Sequence, residues 1–186
     1  MIIAAIVLLA VTAALPLLIS RLPIGHGRPM NIAAAMIAPA VLGLVAILGL
    51  LTDPAGGAGA VVIHCLTVAA AVTGGTLMVR AGLLLGGIEP WQLDTPTPPP
   101  DPGADPAPIP TPLRGGRVIG YLERIVVVAA LGLQWPEAIA IVLAVKGLGR
   151  YPELREPGAA EQFIIGTLAS VVWAAATAGA AYLLVH

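Results

Sequence analysis

Five charged residues, Glu123, Arg124, Lys146, Arg150 and Glu161, stand in or at the ends of strongly apolar runs. A charge at the centre of a membrane helix costs roughly 2.5–3.5 kcal/mol on insertion scales, so such residues turn towards a partner or a wet cavity. The carboxylate of Glu123 could hold a cation or carry a proton. Arg124, Lys146 and Arg150 together could hold a phosphate. Pairing across helices is the structural alternative: Glu123 is expected to meet Lys146, and Arg124 to meet Glu161. The long basic side chains could also reach out to the headgroups instead. Two further polar residues are secondary candidates. Glu137 opens an apolar run, where a first-turn acid is favoured by the helix dipole. His64 lies inside one, with Thr67 a turn later; lacking a second His or carboxylate at helical spacing, it is expected to be a buried, hydrogen-bonded histidine.

The surrounding composition explains why these charges stand out. Of 186 residues, 58% are hydrophobic and only 10% charged, where a soluble domain carries about a quarter charged residues. Six apolar runs are legible, near 1–20, 30–51, 58–80, 117–133, 136–150 and 160–185. Pro and Gly punctuate them: "TDPAGGAG" closes the second, Trp135-Pro136 opens the fifth, and Pro152 and Pro157 separate the fifth from the sixth. Proline is tolerated in a first helical turn, where its missing N–H is not needed. The first run lacks the basic n-region of a secretory signal, so it is expected to be a retained helix. Gly74-Gly75 and Gly86-Gly87 read as flexible or close-packing points. In the last run Gly166, Ser170, Ala174 and Ala178 recur every fourth residue, a small-residue stripe that would let another helix approach closely.

Between Glu89 and Gly116 the sequence is rich in proline and acidic residues, with little to pack. Proline fixes φ near the polyproline value and offers no N–H, so this segment reads as an extended, water-exposed linker. The expected organisation is an all-α polytopic membrane protein with about six transmembrane helices in a 3+3 arrangement. Residues 1–88 form one three-helix half, 89–116 the linker, and 117–186 the second half. With six spans, all nine basic residues fall on one side. Because Lys and Arg near span ends stay cytoplasmic, the linker is expected in the cytoplasm and both termini outside a bacterial inner membrane.

Several classes are excluded or unsupported. A net charge of −1 supplies no basic field for nucleic acid. Cys65 is the single cysteine, so no internal disulfide forms, and it is expected to behave as a small buried hydrophobe. His26, in "GHG", has no metal spacing with anything nearby. No phosphate loop, nucleophile elbow or zinc-protease signature occurs, and no cofactor or metal is called for.

The stretches "IGYLERIVV", "EAIAIVLAVKGLGRYPEL" and "AEQFIIGTLAS" resemble a bacterial membrane family, the domain of unknown function 3307, over residues 117–180. The resemblance places Glu123, Arg124, Glu137, Lys146, Arg150 and Glu161 in one unit. It implies a bacterial helical membrane protein and brings no activity with it. Three function classes remain. The charge cluster could bind or pass an ion or small polar solute. The chain could instead be a non-catalytic scaffold that docks another membrane protein or a second copy. It could, third, be a membrane enzyme acting on a lipid headgroup, for which no nucleophile or metal site is evident.

Overall fold

The computed structural model describes residues 1–21, 28–88, 116–155 and 158–186; the expected linker lies outside the described residues apart from Gly116. Those residues build six helices and no strand: α1 Ile2–Arg21, α2 Arg28–Leu50, α3 Gly57–Leu85, α4 Gly116–Gly132, α5 Glu137–Gly149 and α6 Ala159–Val185, with a 3-10 turn at Glu153–Arg155 before α6.

The helix ends are set by local chemistry. α3 stops at the second glycine pair. Gly87 has φ +77°, and the N–H groups of Gly87 and Ile88 donate to the carbonyls of Leu84 and Leu83 at 3.2 and 2.9 Å. This is the left-handed stop that favours glycine. α4 ends by the same device with Gln134 at φ +56° and Trp135 N–H donating to the Ala130 carbonyl at 2.8 Å. Pro16 sits inside α1, where a proline removes one helical bond and crowds the preceding turn. The carbonyl it leaves without its helical donor is that of Thr12. One residue on, the Thr73 hydroxyl of α3 lies 2.8 Å from the Ala13 carbonyl, a hydrogen it shares with the Ala69 carbonyl at 2.9 Å, and so ties α1 to α3.

α3 and α6 form the centre of the bundle. They run antiparallel, with the Trp173 indole N–H donating to the Ala70 carbonyl at 3.0 Å and Ala55 N–H to the Leu184 carbonyl at 2.8 Å. α1 and α2 cover one flank, and their core residues Leu9, Leu42 and Val45 pack with Ile63, Trp173 and Leu184. α4 covers the other flank, where Val127 and Val128 meet Ala71 and Ala174. α5 leans on α4.

The first glycine pair makes this packing close. A Cβ on Gly74 would collide with the Trp173 indole, and one on Gly75 would overlap the Arg124 guanidinium. The small-residue stripe of α6 serves the same end. Ser170 and Ala174 are buried against α3 and α4, and Gly166 lies against Val79.

Among the described residues three helices, not six, are long and apolar enough to cross a membrane: α1 through Ile2–Ile19, α3 and α6. The shortfall is one of length. α5 has 13 residues and α4 has 17; at 1.5 Å per residue they reach about 20 and 25 Å, below the roughly 30 Å hydrocarbon layer. α2 is 23 residues long, of which Ala35–Leu50 is the fully described apolar part. The apolar runs were correctly placed, but counting each as a full span overstated what α4 and α5 can do alone. Large apolar side chains, Ile3, Val7, Leu17, Met36, Leu44 and Val172 among them, cover the outside of the bundle, the inverse of a water-soluble surface.

Candidate functional site

Glu123 and Arg124 are consecutive on α4, yet they face different neighbours. Both are buried, at 5% and 4% exposure. The carboxylate of Glu123 turns towards α5, where Lys146 Nζ donates to Oε2 at 2.7 Å. This is the pair expected from sequence. The Lys146 ammonium also lies 5.5 Å from the centre of the Phe163 ring on α6, within reach of a cation–π attraction.

Arg124 points the other way, into the seam between α3 and α6. Its Nε donates to Ser170 Oγ at 3.0 Å and its Nη1 to the Val72 carbonyl at 2.6 Å. Tyr121 lies beneath it, 5.7 Å from the guanidinium carbon to the ring centre. The expected pairing with Glu161 does not form. Glu161 lies in the first turn of α6, is exposed, and makes no hydrogen bond or ion pair among the described residues. The physical reason is depth: Ser170 is more than two turns further along α6, level with the guanidinium. Tyr121, Ser170 and the Val72 carbonyl were not foreseen as partners. Ser170 carried a signal as part of the small-residue stripe, whereas a backbone carbonyl carries none.

Around these residues, at the end of the bundle where α4 and α6 begin and α3 and α5 finish, lies an open cleft of about 450 Å³. Among the described residues it is lined by four cations, Arg80, Arg124, Lys146 and Arg150, and by one carboxylate, Glu123. Gln162, Thr167 and Ser170 add polar groups from α6. Arg150 caps the C-terminus of α5, a favourable place for a cation, and its guanidinium approaches Gly116. Two buried polar atoms of the lining have no hydrogen-bond partner among the described residues, Glu123 Oε1 and Thr167 Oγ1. Of the residues predicted from sequence, Glu123, Arg124, Lys146 and Arg150 therefore share one cleft, joined by Arg80, and Glu161 is outside it.

The secondary candidates lie elsewhere. Glu137 is the exposed first residue of α5, at the opposite end of that helix from Lys146. His64 is hydrogen-bonded, Nδ1 to the Ala60 carbonyl at 2.7 Å, but exposed rather than buried. Cys65 is exposed too, and not the buried hydrophobe its apolar run suggested. α3 is apolar around most of its circumference, so its sequence did not mark which face turns outward. Among the described residues no three His, Cys, Asp or Glu come together as a metal site would require.

Comparison with known proteins finds no matching family model, no matching curated protein and no matching solved structure.

Proposed function

We propose that this chain is an integral membrane protein that binds an ion or small polar solute in the cleft between α3, α4, α5 and α6. The observation that carries this is Glu123. It is 5% exposed and bound to Lys146 through one oxygen, while the other, Oε1, has no partner among the described residues. A buried ion pair that only locked helices together would need its remaining lone pairs satisfied, because an unpaired buried acceptor offsets the gain from pairing. Thr167, across the cleft on α6, is in the same position. A ligand that hydrogen-bonds these atoms removes both costs.

The cleft belongs on the cytoplasmic side of a bacterial inner membrane in this reading. The described Lys and Arg positions other than the inward Arg124 cluster towards that end of the bundle, and the opposite end carries Asp53, Glu137, His64 and His186 without a Lys or Arg; retention of basic residues in the cytoplasm supports the orientation. The resemblance read in residues 117–180 would imply a bacterial helical membrane protein and adds neither sidedness nor substrate.

The test is thermal unfolding of the full chain in nanodiscs at constant ionic strength. The probes are potassium chloride, ammonium chloride, potassium phosphate, potassium sulfate and glycerol. A ligand that binds only the folded state raises the melting temperature saturably. At least one probe is expected to do so in the wild type and to lose the effect in Glu123→Gln. A flat response to all five would end the proposal.

A scaffold role is the second reading, favoured by α5. This helix is too short to span and presents the exposed side chains Ile141, Val145 and Leu148. Purification in mild detergent would then return a stoichiometric membrane partner or a dimer.

A further inference from the structure

We infer, building on the solute-binding reading above, that the cleft takes an oxyanion carrying its own proton: hydrogen phosphate, or the phosphomonoester headgroup of a lipid. Glu123 Oε1 accepts the P–OH, and the surrounding cations hold the charge.

Two features of the lining pull in opposite directions, and few ligands satisfy both. Among the described lining residues Arg80, Arg124 and Lys146 outnumber the one carboxylate, Glu123, which calls for an anion. Arg80 stands exposed at the rim, Arg150 borders the cleft beside Gly116, and the Nη2 of Arg124 lies beside Gly120, which also lines it. Lys146 has given one N–H to Glu123 and has two more to give. Yet the buried carboxylate in their midst has an empty acceptor, Oε1. An acceptor needs a donor, and an ordinary anion has none.

The alternatives divide on this point. Sulfate, fully deprotonated near neutral pH, offers only lone pairs; beside Glu123 it would set acceptor against acceptor and leave Oε1 unpaired. A metal cation or an ammonium would satisfy Oε1 but would enter a cleft with a surplus of positive charge. A neutral polyol would bond Oε1 but bring no negative charge to Arg80 and Arg124. A monoprotonated phosphate does both: its P–OH donates to the carboxylate, and its other oxygens accept from Arg, Lys and the Thr167 hydroxyl. Dissolved phosphate keeps a P–OH throughout the neutral range, whereas a phosphomonoester loses its last proton at about pH 6, so the ester offers this form mainly below neutrality. Charge-assisted bonds of this type are roughly twice as strong as neutral ones.

The depth of the cleft leaves two sources open for the same chemistry. It opens where the short helices α4 and α5 border α6, at a bundle end that could meet either dissolved phosphate or a headgroup.

The experiment measures ligand-induced melting shifts of the full chain in phosphate-free detergent, with potassium phosphate and potassium sulfate titrated at matched ionic strength. A parallel arm uses phosphatidylcholine nanodiscs with and without a minor fraction of phosphatidic acid. Phosphate, phosphatidic acid or both are expected to bind at least about tenfold more tightly than sulfate, a difference of about 1.4 kcal/mol. Response to phosphatidic acid alone assigns the headgroup as source, and response to dissolved phosphate alone assigns the free ion. In Glu123→Gln, where the amide can donate, the preference over sulfate is expected to vanish while binding of sulfate improves. Should that variant fail to fold, the wild type still decides. Its response to phosphatidic acid should weaken as pH rises from about 6 to 8 and the phosphomonoester loses its last proton, while dissolved phosphate, which keeps a P–OH as hydrogen phosphate over this range, should hold its preference over sulfate. Equal binding of phosphate and sulfate would overturn the protonated-oxyanion assignment and leave ion binding standing. So would binding of ammonium or glycerol with neither phosphate nor phosphatidic acid. No response to any probe would remove both.

Discussion

Arg124 rests on Gly75 so closely that a single methyl group on the glycine would overlap its guanidinium. The contact lets Nε reach Ser170 and Nη1 reach the Val72 carbonyl at the same time, so one side chain ties α4 to both central helices.

Gly75→Ala should therefore be costly although alanine is the better helix former. Overpacking a close contact typically costs about 1–3 kcal/mol, and the loss should appear in reversible unfolding in mild detergent. Gly43 is the matched control. A Cβ there meets nothing within 4 Å, so Gly43→Ala should be neutral or stabilising by up to about 1 kcal/mol. Equal effects at the two positions would show that Arg124 does not depend on the gap.

The hydrogen bonds of Arg124 can be separated from its charge. Lysine keeps the charge but lacks the forked donors that reach two acceptors, and Arg124→Lys should lose about 1–3 kcal/mol. Ser170→Ala removes one acceptor and should cost about 0.6 kcal/mol, the average for side-chain bonds between membrane helices, and at most about 1.7 kcal/mol. Combined with Arg124→Lys, it should add less than its single effect, because the bond is already gone. Full additivity would mean that the two side chains do not interact.

Glu123 and Lys146 invite the same treatment. Removing one partner of a fully buried pair costs about 3–5 kcal/mol. Because the Lys146 side chain keeps 18% exposure, Lys146→Met should cost somewhat less, about 2–4 kcal/mol. The double variant Glu123→Gln with Lys146→Met should regain much of this, giving a coupling of about 1–3 kcal/mol in a double-mutant cycle. A coupling near zero would leave the pair without energetic weight.

The placement of the two bundle ends is open to chemical labelling. Cys65 is exposed, so it is first replaced by Ala. In that background Asp53→Cys, between α2 and α3, should react with a membrane-impermeant maleimide added to intact cells. Arg155→Cys, before α6, should react only after the membrane is opened. The reverse pattern would invert the orientation.

Much of the fold was legible because proline, glycine and charge interrupt the apolar runs at the helix ends. Trp135-Pro136 and Pro152 fall at the boundaries of α5 or just beyond, and the Gly86-Gly87 pair ends α3. The Glu123–Lys146 contact was also legible: the two lie on successive helices joined by a tight turn, at matching distances from it. The partners of Arg124 were not, since they depend on how α6 is rotated about its own axis, and a helix rich in Ala and apolar on most sides does not announce that rotation. Exposure of His64 and Cys65 escaped for the same reason on α3. The number of spans was misjudged because apolar character was weighed ahead of length in α4 and α5.

The glycine pair at 74 and 75 has a mechanical consequence. Two adjacent positions on one helix seat side chains from two different helices, Trp173 of α6 and Arg124 of α4. Turning or sliding α3 to relieve one seat would jam the other, so these three helices move as a block. α5, resting mainly on α4 and tied to it by Lys146, stands outside that block, and breaking its ion pair would loosen it without disturbing the other three.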